Sequence, residues 1–328
     1  MVKIKPNANF YSLGGVSVHD GQGKEYQEYR RSWIELPQEF ILRDFPMHLD
    51  IEITSRCNLK CTYCDKLPVL TKERLGDMDL ALYKKIIDEG AAHKLWGVKL
   101  SYRGEPLLHK DIFEMVAYAK NRGILDIYFN TNGMLLNSKT CGELIKAGLD
   151  RISISVDGAD PEFFNRERVG ANFDTIVENI ETLMNIRRQK GVDYPKVRVQ
   201  SIYFPNLDVD KYRTFWSRRC DEVAAVDYKD GASRQEGIVC DWACPQLWQR
   251  MTIEWDGTIH PCNNDDSSLM PLDNVKQKSL YEFWHDGRLR EIRQLHRQGA
   301  SHKVRACNGC PWRMAQIKKI ISKKVRYA

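Results

Sequence analysis

The chain has 328 residues and a formal net charge of +6, and 29% of its residues are charged. This length allows one large catalytic domain with a smaller appendage, and no apolar run approaches the roughly 18 residues that a membrane-spanning helix needs. The 10 cysteines follow no apolar signal segment, so we expect metal-ligating thiols in a reducing cytoplasm and not the disulfide framework of a secreted protein.

Residues 1–47 form an N-terminal extension before the first predicted strand. Trp33, Phe40 and Phe45 lie there among polar residues. Since large aromatic side chains are usually buried, we expect this segment to pack over the domain that follows. The sequence assigns it no chemical role.

Between residues 49 and 203, runs typical of strands alternate with amphipathic runs typical of helices. The alternation predicts an α/β fold of repeated βα units in residues 48–235, arranged as a partial barrel that is open on one side. The predicted strands are Leu49–Thr54, Gly97–Ser101, Asp126–Asn130, Arg151–Val156 and Lys196–Tyr203, and the predicted helices are Asp79–Ala92, Asp111–Arg122, Ser138–Ala147 and Phe173–Lys190.

Three cysteines, Cys57, Cys61 and Cys64, follow the first predicted strand with the spacing C-x3-C-x2-C. Three thiolates can hold three irons of a cubane [4Fe–4S] cluster and leave the fourth iron open to a cofactor. A zinc knuckle would need a fourth local ligand, and the nearest histidine, His48, precedes the run on a predicted strand. The spacing therefore favours an iron–sulfur cluster at the carboxyl end of the strand.

This run, with Tyr63 before its last cysteine, resembles the signature of radical S-adenosylmethionine (SAM) enzymes. In that family the open iron chelates the amino and carboxylate groups of SAM, and one electron cleaves SAM to a 5′-deoxyadenosyl radical. The resemblance covers about residues 48–315. It implies a partial (β/α)6 barrel of the radical SAM type, SAM as cofactor with Tyr63 among the residues that bind it, and a flavodoxin- or ferredoxin-type reductant.

The run Arg103-Gly104-Glu105-Pro106 follows the second predicted strand and resembles the Gly-Gly-Glu-Pro motif of that family. The motif receives the SAM amino group, and the resemblance implies the same role for these four residues. Arg103 replaces the first glycine of the motif. Glu105 retains a carboxylate, with backbone carbonyls beside it, so the ammonium-binding chemistry is kept.

The third and fourth predicted strands end in small polar residues. Asn130 and Asn132 could contact SAM or simply form a strand-ending turn. Ser155, in a Ser-x-Asp-Gly run, matches a family position that contacts SAM. Arg168 matches the arginine that pairs with the SAM carboxylate, with Arg166 as the rival.

Four later cysteines, Cys244, Cys262, Cys307 and Cys310, lie in residues 236–315. They could close a tetrahedral zinc site or a fully ligated [4Fe–4S] cluster, and their spacing alone does not separate the two. Residues 251–260 between the first two cysteines predict a β-hairpin with an Asp-Gly turn.

The spacing C-x12-G-x4-C from Cys244 to Cys262 resembles the opening of the SPASM domain, the C-terminal module of many radical SAM enzymes. The full module has further cysteines, whereas none follows Cys310 here. The resemblance therefore narrows to the shortened twitch form, a small domain of β-hairpin and helix with one auxiliary [4Fe–4S] cluster. With four thiolates that cluster has no open iron, which favours electron transfer over substrate ligation.

Three cysteines remain outside these sets. Cys141 lies on an amphipathic helix and is interpreted as a core residue, and Cys220 has no assigned role. Cys240 lies four residues before Cys244 and could return a hydrogen atom to a substrate radical, as in some epimerases of the family, or it could be a spare thiol. The basic tail at residues 316–328 is interpreted as a solvated helix end, so we expect no nucleic-acid partner.

Together these features predict abstraction of a hydrogen atom from a carbinol carbon of a small polyol, sugar or aminocyclitol. If the resulting radical loses a proton and passes an electron to the auxiliary cluster, the product is a ketone, which resembles the reaction of the aminocyclitol (2-deoxy-scyllo-inosamine) dehydrogenases with a twitch domain. Hydrogen return by Cys240 would instead give epimerisation. Peptide modification is the main alternative. Glycyl-radical activation fits less well, since the ferredoxin-like inserts of such activases are missing.

Overall fold

The computed structural model describes residues 2, 10–21, 23–64, 66, 71–204, 207–227, 236–265 and 268–325, with side chains up to residue 318. Residue 235, where the sequence places the end of the barrel, and Arg326 of the basic tail lie outside the described residues. No helix in the described ranges is both long and apolar enough to cross a bilayer.

One ten-stranded sheet organises the described chain, in the order β1-β7-β6-β5-β4-β3-β2-β8-β9-β10. The six strands from β2 to β7 are parallel to one another, and helices connect them, as the predicted partial (β/α)6 barrel requires. The strands are β1 (Phe10–Gly15), β2 (His48–Ile51), β3 (Gly97–Lys99), β4 (Asp126–Thr131), β5 (Arg151–Ser155), β6 (Lys196–Tyr203), β7 (Glu222–Asp227), β8 (Arg250–Ile253), β9 (Thr258–His260) and β10 (Asp273–Asn274).

The helices lie where amphipathic runs follow the strands, and the predicted helices at residues 138–147 and 173–190 are confirmed at both ends. Asp79 caps its helix as predicted, accepting hydrogen bonds from the Ala81 and Leu82 amides. The helices are α1 (Lys24–Gln38), α2 (Leu80–Ala92), α3 (Ile112–Asn121), α4 (Ser138–Ala147), α5 (Pro161–Glu167), α6 (Phe173–Lys190), α7 (Val209–Trp216), α8 (Gln246–Gln249), α9 (Leu280–Trp284), α10 (Gly287–Arg297), α11 (Arg305–Asn308) and α12 (Pro311–Val325).

Side chains alternate across each barrel strand. On β5, Ile152 and Ile154 are fully buried in the hydrophobic core shared with the helices, whereas Arg151 and Ser153 face the barrel interior. The same alternation on β4 and β6 puts polar residues inside the barrel. The core therefore lies between sheet and helices, and the barrel interior is polar.

Two predicted strands are shorter than expected. The first ends at Ile51 and not at Thr54, because the chain leaves the sheet and Thr54 forms an isolated bridge with Asp77. The second ends at Lys99, since the Ser101 hydroxyl, and not a backbone carbonyl, accepts the next hydrogen bond from the Asn130 amide at 3.0 Å. The loops after these two strands therefore begin earlier in the chain than predicted.

The N-terminal extension contributes both a strand and a helix to the barrel. Strand β1 pairs antiparallel with β7 at one edge of the sheet. Helix α1 packs at the amino ends of the strands, where the Tyr29 hydroxyl lies 3.2 Å from His48 Nδ1. The Gln249 side chain donates to the Trp33 carbonyl at 2.7 Å. Helix α1 therefore forms the floor of the barrel.

The predicted hairpin at residues 251–260 is confirmed as β8 and β9, which pair antiparallel around the Asp256-Gly257 turn. Gly257 has a φ of +94°, a conformation that favours glycine. Strand β8 also pairs parallel with β2. The C-terminal hairpin thus extends the barrel sheet beside the strand that carries the first cysteine run.

Candidate active site and auxiliary cluster site

The first cysteine run lies on the loop after β2. Cys57 is exposed and Cys61 and Cys64 are half-buried, with no disulfide between them. Two backbone hydrogen bonds anchor the loop to the segment after α5: the Lys60 amide donates to the Val169 carbonyl and the Thr62 amide to the Glu167 carbonyl, both at 2.9 Å. The three thiols are therefore presented at the carboxyl end of the sheet.

Gly104 packs directly on this loop. A Cβ atom at residue 104 would lie 2.4 Å from the Thr54 carbonyl oxygen and 2.6 Å from that of Arg56. The next amide, of Glu105, donates to the Arg56 carbonyl at 2.7 Å. Only glycine allows this approach, so the motif after β3 and the cysteine loop form one unit.

A Gly104→Ala variant should lose SAM-dependent formation of 5′-deoxyadenosine, because backbone atoms on the cysteine loop must move to admit the methyl group. The matched control is Gly142→Ala in α4, where nothing lies within 4 Å of the added atom. That change should stabilise the protein by about 0.5–1 kcal/mol. Activity assays and chemical denaturation measure both effects, and equal activity in the two variants would contradict the proposed packing.

The Glu105 carboxylate connects the loops after β3 and β4. It accepts hydrogen bonds from the Thr131 hydroxyl and the Asn132 amide, both at 2.7 Å, and from the Leu107 amide at 3.1 Å. Burial raises the pKa of Glu105 to about 7. Since a carboxylate offers roughly four acceptor positions, these three hydrogen bonds leave about one, and the predicted contact with the SAM ammonium group stays a prediction.

Asn132, directly after β4, contacts the cysteine loop. Its Nδ2 donates to Asn58 Oδ1 at 2.7 Å, and its Oδ1 accepts from the Met134 amide at 3.0 Å. Asn130, two residues earlier, instead lines a cavity inside the barrel. Asn130 and Asn132, for which the sequence leaves the same two alternatives, therefore lie in different surroundings.

Asp157 is a buried carboxylate that sequence analysis did not single out. It accepts hydrogen bonds from the Tyr63 hydroxyl, from Arg168 Nε at 2.8 Å and from the Ile202 amide at 3.0 Å. The Arg168 guanidinium lies near the Cys61 thiol and lowers its pKa, against the burial that raises that pKa to about 11. Asp157 therefore fixes both predicted SAM contacts, Tyr63 and Arg168, beside the cysteine loop. Ser155 lies at the end of β5, half-buried.

The Arg103 side chain points into an ion network. Its guanidinium binds both oxygens of Glu52, at 2.6 and 2.7 Å, and Glu254 at 2.7 Å. Glu254 also contacts His260 Nε2 at 2.8 Å. The Arg103 side chain thus joins the motif to the C-terminal hairpin, and a role of Arg103 in SAM binding stays a prediction.

The four later cysteines surround one small apolar cavity between the C-terminal hairpin and helices α10 to α12. Its lining includes Cys244, Cys262, Cys307 and Cys310 together with Trp242, Leu247, Met270 and Trp312. Burial raises the pKa of Cys244 to about 12 and those of Cys262 and Cys307 further. The structure therefore brings the predicted ligand set together in a pocket where thiolates require a positive partner such as cluster iron.

Among the described residues, no three His, Cys, Asp or Glu side chains converge closely enough to enclose a single metal ion. Two buried nitrogen-bearing residues, His296 and Arg313, lie near the auxiliary thiols. His296 Nδ1 accepts from the Cys244 amide at 3.1 Å, which leaves Nε2 to donate to Cys307 Sγ at 3.4 Å. Arg313 is held by the Ser301 hydroxyl at 2.9 Å and lies near Cys307 and Cys310. Both can stabilise thiolate charge.

The remaining cysteines lie apart from these sites. Cys141 and Cys220 are buried and donate to backbone carbonyls, as core thiols do. Cys240 lies beside Arg313 and Gly299 in the C-terminal module. The barrel cavity lining in the described chain does not include Cys240. Its role as hydrogen donor stays a prediction.

The sequence matches the family model of the radical SAM superfamily over residues 51–195 and that of SPASM, an iron-sulfur cluster-binding domain, over residues 244–311. A relative from Pyrococcus furiosus, the tungsten-containing aldehyde ferredoxin oxidoreductase cofactor-modifying protein, is 35% identical over 295 residues, covering 72% of this chain and 80% of the relative. The chain belongs to the radical SAM superfamily. All the cysteines predicted to bind clusters lie inside the two matched regions.

Other radical SAM proteins match less of the chain or at lower identity. A probable GTP 3′,8-cyclase from Methanococcus maripaludis is 36% identical over 136 residues, covering 42% of this chain and 45% of the cyclase, so the match spans less than half of that relative. Two solved structures share the fold. BtrN with AdoMet and 2-DOIA has a TM-score of 0.56 at 20% identity, covering 82% of this chain and 94% of BtrN. Streptococcus suis SuiB bound to precursor peptide SuiA has a TM-score of 0.64 at 16% identity, covering 86% of this chain and 74% of SuiB.

Membership establishes the cofactors of this enzyme. A radical SAM enzyme with a SPASM region uses SAM and a [4Fe–4S] cluster that binds SAM. Its SPASM region holds auxiliary iron–sulfur cluster sites. This removes the zinc alternative for the C-terminal site. The two thiol sets described above fit these groups: one open and partly exposed, the other enclosed by apolar side chains.

Proposed function

We propose that this radical SAM enzyme oxidises a carbinol C–H of a small polyol, sugar or aminocyclitol to a ketone. Cys57, Cys61 and Cys64 would hold the SAM cluster, and Cys244, Cys262, Cys307 and Cys310 the auxiliary cluster. The bound cofactors would supply hydrogen abstraction through a 5′-deoxyadenosyl radical and an electron acceptor. The protein residues must then bind the substrate, orient one C–H bond and exclude water.

The observation that carries this proposal is the barrel cavity, whose volume is about 260 Å³. Pockets for drug-sized ligands have roughly 300–1,000 Å³, so this space suits a small molecule better than a peptide chain. Its floor is closed by Tyr29 and Trp33 of α1. Asn130, Ser153 and Gln200 also line it and offer hydrogen bonds to substrate hydroxyl groups.

The link between the barrel and the auxiliary site supports oxidation. Strand β8 pairs with β2, and Arg103 binds Glu254 on the hairpin, so the auxiliary site is joined rigidly to the strand that precedes the cysteine loop. An enclosed four-thiolate cluster is suited to accept an electron and not to bind substrate. Epimerisation is less supported, because Cys240 is not among the described residues that line the barrel cavity.

Peptide modification is the second candidate. The fold likeness to SuiB, whose structure contains precursor peptide SuiA, has a higher TM-score than the likeness to BtrN. A peptide substrate would have to reach the SAM site from outside the small cavity. The two candidate functions therefore differ in the direction from which the substrate reaches the SAM site: a small molecule from the barrel cavity, a peptide from outside it.

Isotope transfer tests the proposal. Reconstituted enzyme with SAM and dithionite should transfer deuterium from a carbinol-deuterated polyol, sugar or aminocyclitol into 5′-deoxyadenosine and form the ketone. The same substrates without deuterium are the control. Deuterium transfer only from labelled peptides would favour peptide modification, and transfer from a polyol without ketone formation would favour epimerisation. A flavodoxin- or ferredoxin-type protein in place of dithionite tests the predicted reductant.

A further inference from the structure

The barrel cavity is strongly basic. Five cationic side chains line it, and none of the described lining residues is a carboxylate. His19 also lines the cavity and is kept neutral, because burial and nearby arginines lower its pKa. The cationic residues are Arg30, Lys99, Arg151, Arg198 and Arg250.

Three of these cations form ion pairs with carboxylates of the barrel wall. Asp126 binds Arg151 through two hydrogen bonds of 2.7 Å. Glu222 binds Arg198 at 3.0 and 2.8 Å. Asp50 binds Arg250 at 3.0 Å. All three carboxylates are almost completely buried in the barrel wall. The guanidinium groups are therefore held in place by buried anions while they form part of the cavity surface.

Two cations have no carboxylate of their own. Arg30 has no carboxylate within ion-pair distance among the described residues, and its guanidinium lies 5.3 Å from the Tyr29 ring and 5.4 Å from the Trp33 ring. Lys99 Nζ lies 3.9 Å from Asp50, which Arg250 already engages. Five cations thus face three carboxylates. Arg30 and Lys99 are partly buried, and an excess of positive charge that is partly removed from water is costly unless an anion compensates it.

Aromatic rings fix the guanidinium planes. Arg151 lies 3.8 Å from the centroid of the Tyr128 ring, and Arg250 lies 4.6 Å from that of Trp33. Stacked and ion-paired arginines are pre-organised donors, so they lose little entropy on binding a ligand. Planar guanidinium groups match the oxygen geometry of phosphate groups.

We propose that this cavity binds a phosphate ester of the substrate, so that the substrate is a phosphorylated polyol or sugar. This inference rests on the proposed function, because it takes the barrel cavity as the substrate site. A phosphate monoester carries about two negative charges at neutral pH, which matches the excess contributed by Arg30 and Lys99.

The position of the cations also orients the substrate. Arg151 and Arg250 are the first residues of β5 and β8, at the floor end of the barrel. Asn130 is the fifth residue of β4, near the loop where Asn132 binds the cysteine loop. A phosphate at the floor therefore directs the carbinol part of the ligand toward the SAM end. Helix α1 acquires a role in recognition through Arg30.

Titration calorimetry of the reconstituted enzyme in Tris buffer tests the proposal. The probes are inorganic phosphate and glucose 6-phosphate, compared with glucose and with gluconate, which carries a carboxylate. We expect saturable binding of both phosphate probes and at least about tenfold weaker binding of glucose and gluconate. No saturable binding of either phosphate probe, or tighter binding of gluconate, would overturn it.

Matched variants localise the binding. Arg30→Gln and Lys99→Gln should each weaken phosphate binding at least about tenfold. Arg31→Gln is the control, since Arg31 is the exposed neighbour on α1. Equal affinity in Arg30→Gln and Arg31→Gln would overturn the assignment. The calorimetric measurement of phosphate binding does not require the enzyme to turn over a substrate. Thus phosphate binding without any carbinol oxidation would refute only the proposed function, and oxidation of neutral polyols without phosphate binding would refute only this inference.

Discussion

Replacing Cys57, Cys61 and Cys64 together with alanine should abolish formation of 5′-deoxyadenosine from SAM and reduce the iron content from about eight to about four atoms per chain. The reason is that the loop after β2 presents these thiols, and the remaining cysteines lie in the core or the C-terminal module. Because the three side chains are exposed or half-buried, their truncation opens no cavity in the hydrophobic core. Anaerobic iron analysis and product chromatography measure the effect.

A Cys141→Ala variant is the control for this experiment. Cys141 is fully buried in α4, where its thiol donates to the Leu136 carbonyl, and it does not line the auxiliary cavity. This variant should keep its iron and its SAM cleavage, with only a modest loss of stability. Retention of SAM cleavage in the triple variant would contradict the assignment of the first cluster.

The barrel could be predicted because its signals are local. Amphipathic runs predict α2, α3, α4 and α6 from their own sequences, and α4 and α6 were predicted at both ends. Strands β1 and β7 and helices α5 and α7 were missed. Strand β7 follows α7 closely, and β1 forms a strand through its pairing with β7. Such pairing depends on residues far apart in the chain, which local patterns do not contain.

The basic cavity could not be predicted, although each cation was visible in the sequence. Arg151 and Arg198 alternate with apolar residues on their strands, which is a signal for a polar inner face. Which cations meet depends on the strand order, and the pairing of β8 with β2 is what adds Arg250. The contribution of Arg30 required knowing that α1 closes the floor of the barrel.

The motif residues were located correctly but their contacts were not foreseen. Glu105 was expected to face the SAM ammonium group, and its carboxylate also binds the Thr131 and Asn132 segment. Asp157 lies two residues after Ser155, yet only its buried position between Tyr63 and Arg168 reveals its role. A sequence motif names residue types at a strand end, whereas hydrogen-bond partners from other loops define their function.

Replacing Cys262 and Cys310 with alanine should separate SAM cleavage from product formation. Both thiols line the auxiliary cavity, so the variant should lose about four irons while it keeps the cluster at residues 57–64. Formation of 5′-deoxyadenosine should continue, whereas ketone formation should fall by about a hundredfold or more, a loss of at least about 2.7 kcal/mol in transition-state stabilisation. The physical reason is that the substrate radical then has no electron acceptor within the protein.

The control for the auxiliary variant is Cys220→Ala, because Cys220 is buried between α7 and β7 and its thiol donates to the Trp216 carbonyl. It should retain ketone formation and all of its iron. Unfolding of the auxiliary variant would be detected as loss of SAM cleavage, since β8 and Arg103 join the C-terminal hairpin to the barrel. Ketone formation at the wild-type rate in a variant that has lost four irons would exclude the auxiliary cluster as electron acceptor. The C-terminal thiols would then serve only to hold the hairpin against β2.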